Sequence, residues 1–218
     1  MSNYQEKFKT IDEHKNHLRQ HLIKKREQLP RRELLANSRA ITERLRELEP
    51  LAALLEQLPE EPIGLYAAFR GEPDVRPLVP HLVAAGIKIA FPAIVHCPET
   101  GENCMRFGLY EPHQPLRLFL NTGHFGISEP PPESLLPTGT PMSALIMPGV
   151  AFDHSGTRIG FGKGYYDSFI ASLPHRPMLI GVAHPFQLLN DPLPKAGHDQ
   201  PLDYIVLPNQ TIVVKCNH

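Results

Sequence analysis

The stretch from Pro62 to Pro92 sets the strongest limit on the fold of this chain. "PIGLYAAF" is a short apolar run that follows the turn-rich Pro59–Pro62, and it reads as the first strand of a buried sheet. "DVRPLVPHLVAAG" then begins like a helix, with Asp74 as candidate N-cap and Gly86 as candidate C-cap. "IKIAFP" is the next strand. Strand, helix and strand within about 30 residues make a βαβ unit, and such a unit needs a parallel sheet.

Further apolar runs extend that sheet. "MRFGLY", "ALIMPGVAF", "MLIGVA", "PLDYIVLP" and "TIVVK" all read as strands, with "ALIMPGVAF", the most apolar, as a central one. "CPETGENC" and "DHSG" are turn chemistry. The first quarter is helical. One helix starts near Glu13, with Leu18, Leu22 and Leu29 near one face, basic residues around the rest, and its end at Pro30. A second is expected from about Arg31 to Leu58, with Pro50 breaking or kinking it. The expected architecture is α/β: a three-layer, open, mostly parallel sheet flanked by helices, with an N-terminal helical segment. Residues 1–12 form a polar tail. A single domain is expected over 13–218, with helices over 13–58 and the sheet core over 62–215.

Composition narrows the function classes. With a formal net charge of -1, no global field draws the chain to nucleic acid or to a membrane surface. The N-terminus carries no apolar targeting segment, and no run of apolar residues is long enough to span a bilayer, so a cytoplasmic protein is expected. Three cysteines, Cys97, Cys104 and Cys216, form no CxxC pair, which argues against a zinc site or a disulfide framework and for reduced thiols. The histidines show no ligand spacing. His81, His96, His113, His124 and His175 read as surface or loop residues, while His198 precedes an acid of interest. The long segment "NTGHFGISEPPPESLLPTGTP" is rich in proline and glycine; a connection of that length is usually functional or flexible.

The chemistry concentrates in "RIGFGKGYYDSFI", from Arg158 to Ile170. Gly160, Gly162 and Gly164 let a ligand approach the backbone, and a helix starts just after them. The unpaired N–H groups and dipole of that helix start favour an anion, most often phosphate. Lys163 and Arg158 add positive charge. The pattern is neither of the two common phosphate signatures. Lys163 is followed by Gly164 rather than Ser or Thr, and the glycines are spaced G-x-G-x-G rather than G-x-G-x-x-G. A glycine-rich turn that merely packs a helix on a sheet stays open beside the anion site. Asp167 carries two readings as well: an acid favouring the positive end of a helix, or a Mg2+ ligand beside a phosphate.

"MPGVAFDHSGTRIGFGKGYYDSFI" resembles the signature of the 5-formyltetrahydrofolate cyclo-ligase family, also called 5,10-methenyltetrahydrofolate synthetase, with Ile159 in place of the usual leucine. Three more segments resemble that family in order: "KNHLRQHLIKKREQL", "FRGEPDVRPLVPHLVAAGIKIAFP" and "GVAHPFQLLNDPLPKAGHDQPLDYIV". The likeness runs over roughly residues 13–207. It implies ATP- and Mg2+-dependent cyclisation of 5-formyltetrahydrofolate to 5,10-methenyltetrahydrofolate, with release of ADP and phosphate through a phosphorylated formyl intermediate.

Carried over by residue, the resemblance implies that Lys15 and Arg19 contact ATP, four apart on one helix face. It implies ATP contacts for Arg158, Gly160, Gly162, Lys163 and Gly164, with Lys163, Arg158 and Tyr166 in the catalytic group. Glu72 and Tyr166 are implied to bind the folate, and Asp167 and Asp199 to hold Mg2+. Tyr165, Phe152 and Phe69 are further candidates for an aromatic slot, although either phenylalanine would more commonly be core. The partners are then small molecules, a reduced folate and ATP, with no nucleic acid and no membrane. A monomer is expected, with a dimer left open. Two alternatives stand beside the enzyme: a non-catalytic folate- or nucleotide-binding relative, and a module that binds partners through the basic helix at residues 13–32.

Overall fold

A computed structural model describes residues 10–97, 101–123, 126–197 and 199–214. Three helices come first: α1 (Ile11–Glu27), α2 (Arg31–Glu47) and α3 (Glu49–Glu56). Thr10 caps α1 by accepting the Glu13 N–H at 3.1 Å. The single helix expected over 31–58 is two, because Leu48 is extended and Pro50 sits in the opening turn of α3, where its missing N–H is harmless. The βαβ unit follows as β1 (Ile63–Gly64), a 3-10 turn at Arg76–Leu78 leading into α4 (Val79–Ala84), and β2 (Ile89–His96). Asp74 accepts the Arg76 N–H at 3.0 Å, so it caps the 3-10 turn rather than α4. Gly86 stands just past α4 with φ of 76°.

The remaining elements are β3 (Asn103–Tyr110), α5 (Leu116–Phe119), β4 (Asn121–Thr122), β5 (Ser128–Glu129), β6 (Ala144–Met147), β7 (Ala151–Asp153), β8 (Arg158–Ile159), α6 (Tyr165–Ser172), β9 (Met178–Val182), β10 (Leu188–Leu189), β11 (Tyr204–Val206) and β12 (Thr211–Val213). The proline-rich segment after Leu120 therefore carries a small hairpin, β4 with β5, and a 3-10 turn at Pro132–Ser134. The run "ALIMPGVAF" is not one central strand. It breaks at Pro148–Gly149 into β6, in the main sheet, and β7, in a separate sheet with β8 and β10. Proline cannot donate to a ladder, and a Cβ on Gly149 would meet the Phe152 ring at 2.4 Å, so the chain turns where it is tightest.

Seven strands form the main sheet, in the order β12-β11-β9-β6-β1-β2-β3. β2, β1, β6, β9 and β11 are mutually parallel, while β3 and β12 close the two edges antiparallel. Both faces are covered, and successive residues alternate between them. Ala144 and Ile146 face a core built with α2, α3 and α4, whereas Leu145 and Met147 face a core built with α6. A third cluster joins Leu22 of α1 to Val150, Ala151 and Ile159 of the small sheet.

The cysteine expectation is corrected here. Cys97 and Cys104 are joined as a disulfide across the end of the β2–β3 hairpin. Their spacing straddles a turn, so neighbouring strands bring together two residues that lack any CxxC pattern. Cys216, His124, His198 and most of the polar tail lie outside the described residues. Among the described residues no helix is long and apolar enough to cross a membrane.

Candidate active site

Strand order places the site. The chain starts in the middle of the parallel strands at β1, steps to β2 on one side, then returns to β6, β9 and β11 on the other. The connections leaving β1 and β6 diverge, and a crevice opens past the carboxyl ends of those two strands. A cavity of about 670 Å3 lies there. A smaller cleft, of about 400 Å3, is lined by residues at the amino ends of β6 and β9, and there His175 pairs with Glu61 and Arg176 with Asp203.

Every residue singled out from the sequence for ATP, folate or metal lines the larger cavity: Lys15, Arg19, Glu72, Arg158, Gly160, Gly162, Lys163, Gly164, Tyr166, Asp167 and Asp199. They come from four separate segments, so the fold, not the local sequence, assembles them. Phe69 and Tyr165 also line it, whereas Phe152 is fully buried core. His81, His96, His113 and His175 are exposed, as expected.

The glycine loop bulges between β8 and α6. Gly162 and Gly164 have φ of 97° and 67°, which side-chain-bearing residues rarely adopt. Among the described residues, nothing accepts a hydrogen bond from the backbone N–H groups of residues 160–164. Gly164 gives α6 no side-chain cap either. The loop thus presents open donors beside cations. Arg19 donates from Nε to the Gly160 carbonyl at 2.9 Å, which ties the loop to α1. Lys163 is exposed and has no ion-pair partner among the described residues. Arg158 is buried, with Nη2 3.4 Å from Asp167 Oδ2, its guanidinium 5.2 Å from the Tyr166 ring, and an unpartnered Nε. Lys15, also buried, lies 2.6 Å from Asp199 Oδ2. Gln200 N–H donates to Asp167 Oδ1 at 3.1 Å, which ties the 199–200 segment to α6, and both acids line the cavity.

The other wall is apolar. Pro92, Ile94 and Met105, from β2 and β3, face Tyr66, Phe69 and Tyr166. Glu72 sits among them, only 4% exposed, its Oε2 accepting the Phe69 N–H at 3.0 Å. Burial pushes its carboxyl up to about 7, with Arg26 and the Phe69 N–H pulling the other way. Burial likewise raises the phenols of Tyr66 and Tyr166, so both stay neutral donors near neutral pH. The Tyr66 hydroxyl donates to the Pro73 carbonyl.

Three residues in or behind this cavity escape the sequence reading. Arg26 was placed among the solvated basic residues of α1, yet it is 1% exposed, behind Glu72. Its signal was there: Lys15, Arg19, Leu22 and Arg26 recur at helical spacing and form the inward face of α1. Glu129 was lost in the long proline-rich segment; it lines the cavity and accepts the Ile94 N–H at 3.1 Å. His184 is wholly buried, paired to Asn37 and to the Gly71 carbonyl, and no spacing in the sequence marks it.

Comparison with known proteins decides the family. Residues 11–208 match the model of the 5-formyltetrahydrofolate cyclo-ligase family. The chain belongs to that family. It is 32% identical over 152 residues to the 5-formyltetrahydrofolate cyclo-ligase of Escherichia coli K12, covering 68% of this chain and 78% of that one. It is 29% identical over 186 residues to the enzyme of the same description from Mycolicibacterium smegmatis, covering 83% and 92%. The NMR structure of Aquifex aeolicus 5,10-methenyltetrahydrofolate synthetase superposes with a TM-score of 0.71 at 27% identity, covering 94% of each chain. Family membership makes the chain an enzyme, against the reading as a non-catalytic relative.

Proposed function

We propose that this enzyme converts 5-formyltetrahydrofolate to 5,10-methenyltetrahydrofolate at the expense of ATP, with Mg2+ bound by Asp167 and Asp199. In this reading the formyl oxygen attacks the γ-phosphorus and ADP departs with the bonding electron pair. The resulting iminium phosphate is then closed by the neighbouring folate nitrogen, which loses its proton as phosphate leaves.

The observation that carries the reading is the open loop at residues 160–164: N–H donors with no acceptor among the described residues, a helix start without a side-chain cap and four cations in or beside the loop, on one cavity with an aromatic, apolar slot. Phosphoryl transfer asks a protein for positioning and charge neutralisation. Lys163, Arg158, Lys15 and Arg19 supply charge, and the glycines supply close approach. Tyr166, Tyr66 and Phe69 offer faces for a flat pteridine, with Glu72 as polar anchor. Two carboxylates lining one cavity suit Mg2+, which keeps most of its shell for water and substrate. When bound there it would offset the phosphate charge. Lys15 holds Asp199; with Asp199 engaged by Mg2+, the Lys15 ammonium would be available to the nucleotide.

One chain lines the whole cavity, so the reading needs no second copy. We read the enzyme as cytoplasmic, a compartment in which the Cys97–Cys104 pair would be open to reduction. The test is a near-ultraviolet assay of methenyl product with and without ATP and Mg2+. Product that depends on both is the expected result; turnover without ATP would overturn the reading.

A further inference from the structure

The buried guanidinium of Arg26 has no counterpart in the reaction as described above. It projects from the last turn of α1 to the point where the parallel strands diverge. Its Nε donates to the Arg70 carbonyl at 2.9 Å, past β1, and its Nη1 to the Gly149 carbonyl at 3.0 Å, past β6. One fork therefore spans the two strand ends that open the cavity. Nη2 lies 3.6 Å from Glu72 Oε1 and makes no hydrogen bond. The Phe161 ring of the glycine loop stands 5.3 Å from the same guanidinium.

The turn from Phe69 to Glu72 is shaped around this contact. Arg70 and Gly71 both have positive φ, 47° and 75°. A Cβ on Gly71 would meet the Arg26 carbonyl oxygen at 2.7 Å, so α1 and the turn touch backbone to backbone. His184 Nε2 pairs with the Gly71 carbonyl at 2.9 Å, and Gln187 donates to the Gly149 carbonyl at 2.7 Å. A turn in that conformation persists only when its surroundings over-determine it.

We propose that Arg26 is a positioning residue of the reaction: it clamps the Glu72 turn to the Gly149 crossing and sets a fixed positive charge behind the Glu72 carboxyl. The charged and titratable groups that act on Glu72 or share its surroundings are few. Tyr66, beyond β1, and Tyr166, on α6, are held neutral by burial. His184 packs behind Arg26, and burial lowers its pKa, so it too is neutral near pH 7. Arg26 is the charge that lowers the pKa of Glu72 against its burial. Removing that charge moves the Glu72 carboxyl further up, so ionised Glu72 would be lost at a higher pH. This inference rests on the assignment of Glu72 to the folate.

The experiment compares R26Q, R26K and E72Q in the full chain. It measures KM for 5-formyltetrahydrofolate, KM for ATP and the acid limb of kcat/KM. For R26Q the limb should move up by about one pH unit, which at a fixed pH on the limb is a loss of about tenfold. R26K keeps the charge but loses the two-carbonyl fork, so its limb should stay while folate KM rises about tenfold. E72Q should abolish the limb. A role in stability alone would lower Tm without moving the limb, and R26Q with the wild-type limb overturns the inference while the Glu72 assignment survives. E72Q with unchanged folate KM and limb overturns both. If R26Q does not accumulate as folded protein, R26K carries the test, and an unchanged folate KM in it overturns the proposal.

Discussion

Two turns flank β8, only a few residues apart, and both carry glycines at positive φ. The turn before it, Asp153–Thr157, spends its hydrogen bonds on itself. Asp153 is 2% exposed, and its Oδ1 accepts the Ser155 N–H, the Ser155 hydroxyl and the Thr157 N–H, while Oδ2 accepts the Leu193 N–H. In the turn after it, the loop of residues 160–164, the N–H groups find no acceptor among the described residues. A closed set of polar groups holds a fold together, whereas an open set next to a cavity is available to a ligand. The difference separates a structural turn from a binding loop where composition alone does not.

The comparison breaks most visibly at Asp153. D153A strips four hydrogen bonds from a buried carboxylate and leaves their donors unsatisfied. Chemical denaturation should show a loss of about 3 kcal/mol. A loss no larger than that of an ordinary surface substitution would mean the turn is not closed in the sense argued. The opposite profile is expected at Lys163. K163A should change stability by no more than about 0.5 kcal/mol, since the side chain is exposed. Its ATP KM should rise about 30-fold, the worth of a charge-assisted bond to phosphate. Wild-type ATP kinetics would remove the phosphate role.

The glycines sharpen the contrast. Gly156 has φ of 81°, and its added Cβ would meet the Leu202 carbonyl oxygen at 2.8 Å, a backbone atom that cannot swing aside. Gly162 has φ of 97°, but the obstacle there is the end of the Arg19 side chain, at 3.0 Å. G156A should therefore cost about 2 kcal/mol of stability without touching ATP use. G162A should cost less in stability and more in ATP affinity. Equal thermal shifts with unaltered ATP kinetics in both would erase the distinction.

How much of this was legible in the sequence follows from which contacts are local. The α/β architecture was readable because strands, helices and turns are written in short windows. The glycine loop was readable because a ligand-facing backbone leaves a dense local trace. Arg26, Glu129 and His184 were not, since their partners lie far along the chain: Arg70 and Gly149, Ile94, and Asn37 with Gly71. Charged residues on a helix read by default as its wet face, which is why the inward face of α1 was misassigned. The break at Pro148–Gly149 was hidden because both strands it separates are buried, and burial on both faces erases the alternation that would mark an end. The disulfide was hidden because a hairpin, not a motif, sets its spacing.

The smallest effect is expected at Asp167, and it discriminates two readings that the sequence left level. In D167N the remaining carbonyl oxygen can still accept the Gln200 N–H, so the link to the 199–200 segment survives. What disappears is one negative charge, facing Arg158 at 3.4 Å. If the acid holds Mg2+, the metal concentration for half-maximal rate should rise several-fold, on the order of the 1.4 kcal/mol that a tenfold change represents, while Tm moves little. If it serves only the start of α6 and its pairing with Arg158, the metal titration should be unaltered and stability should fall by about 0.5 kcal/mol. The two outcomes lie on different axes, so a single variant assigns the residue to the metal or to the start of α6.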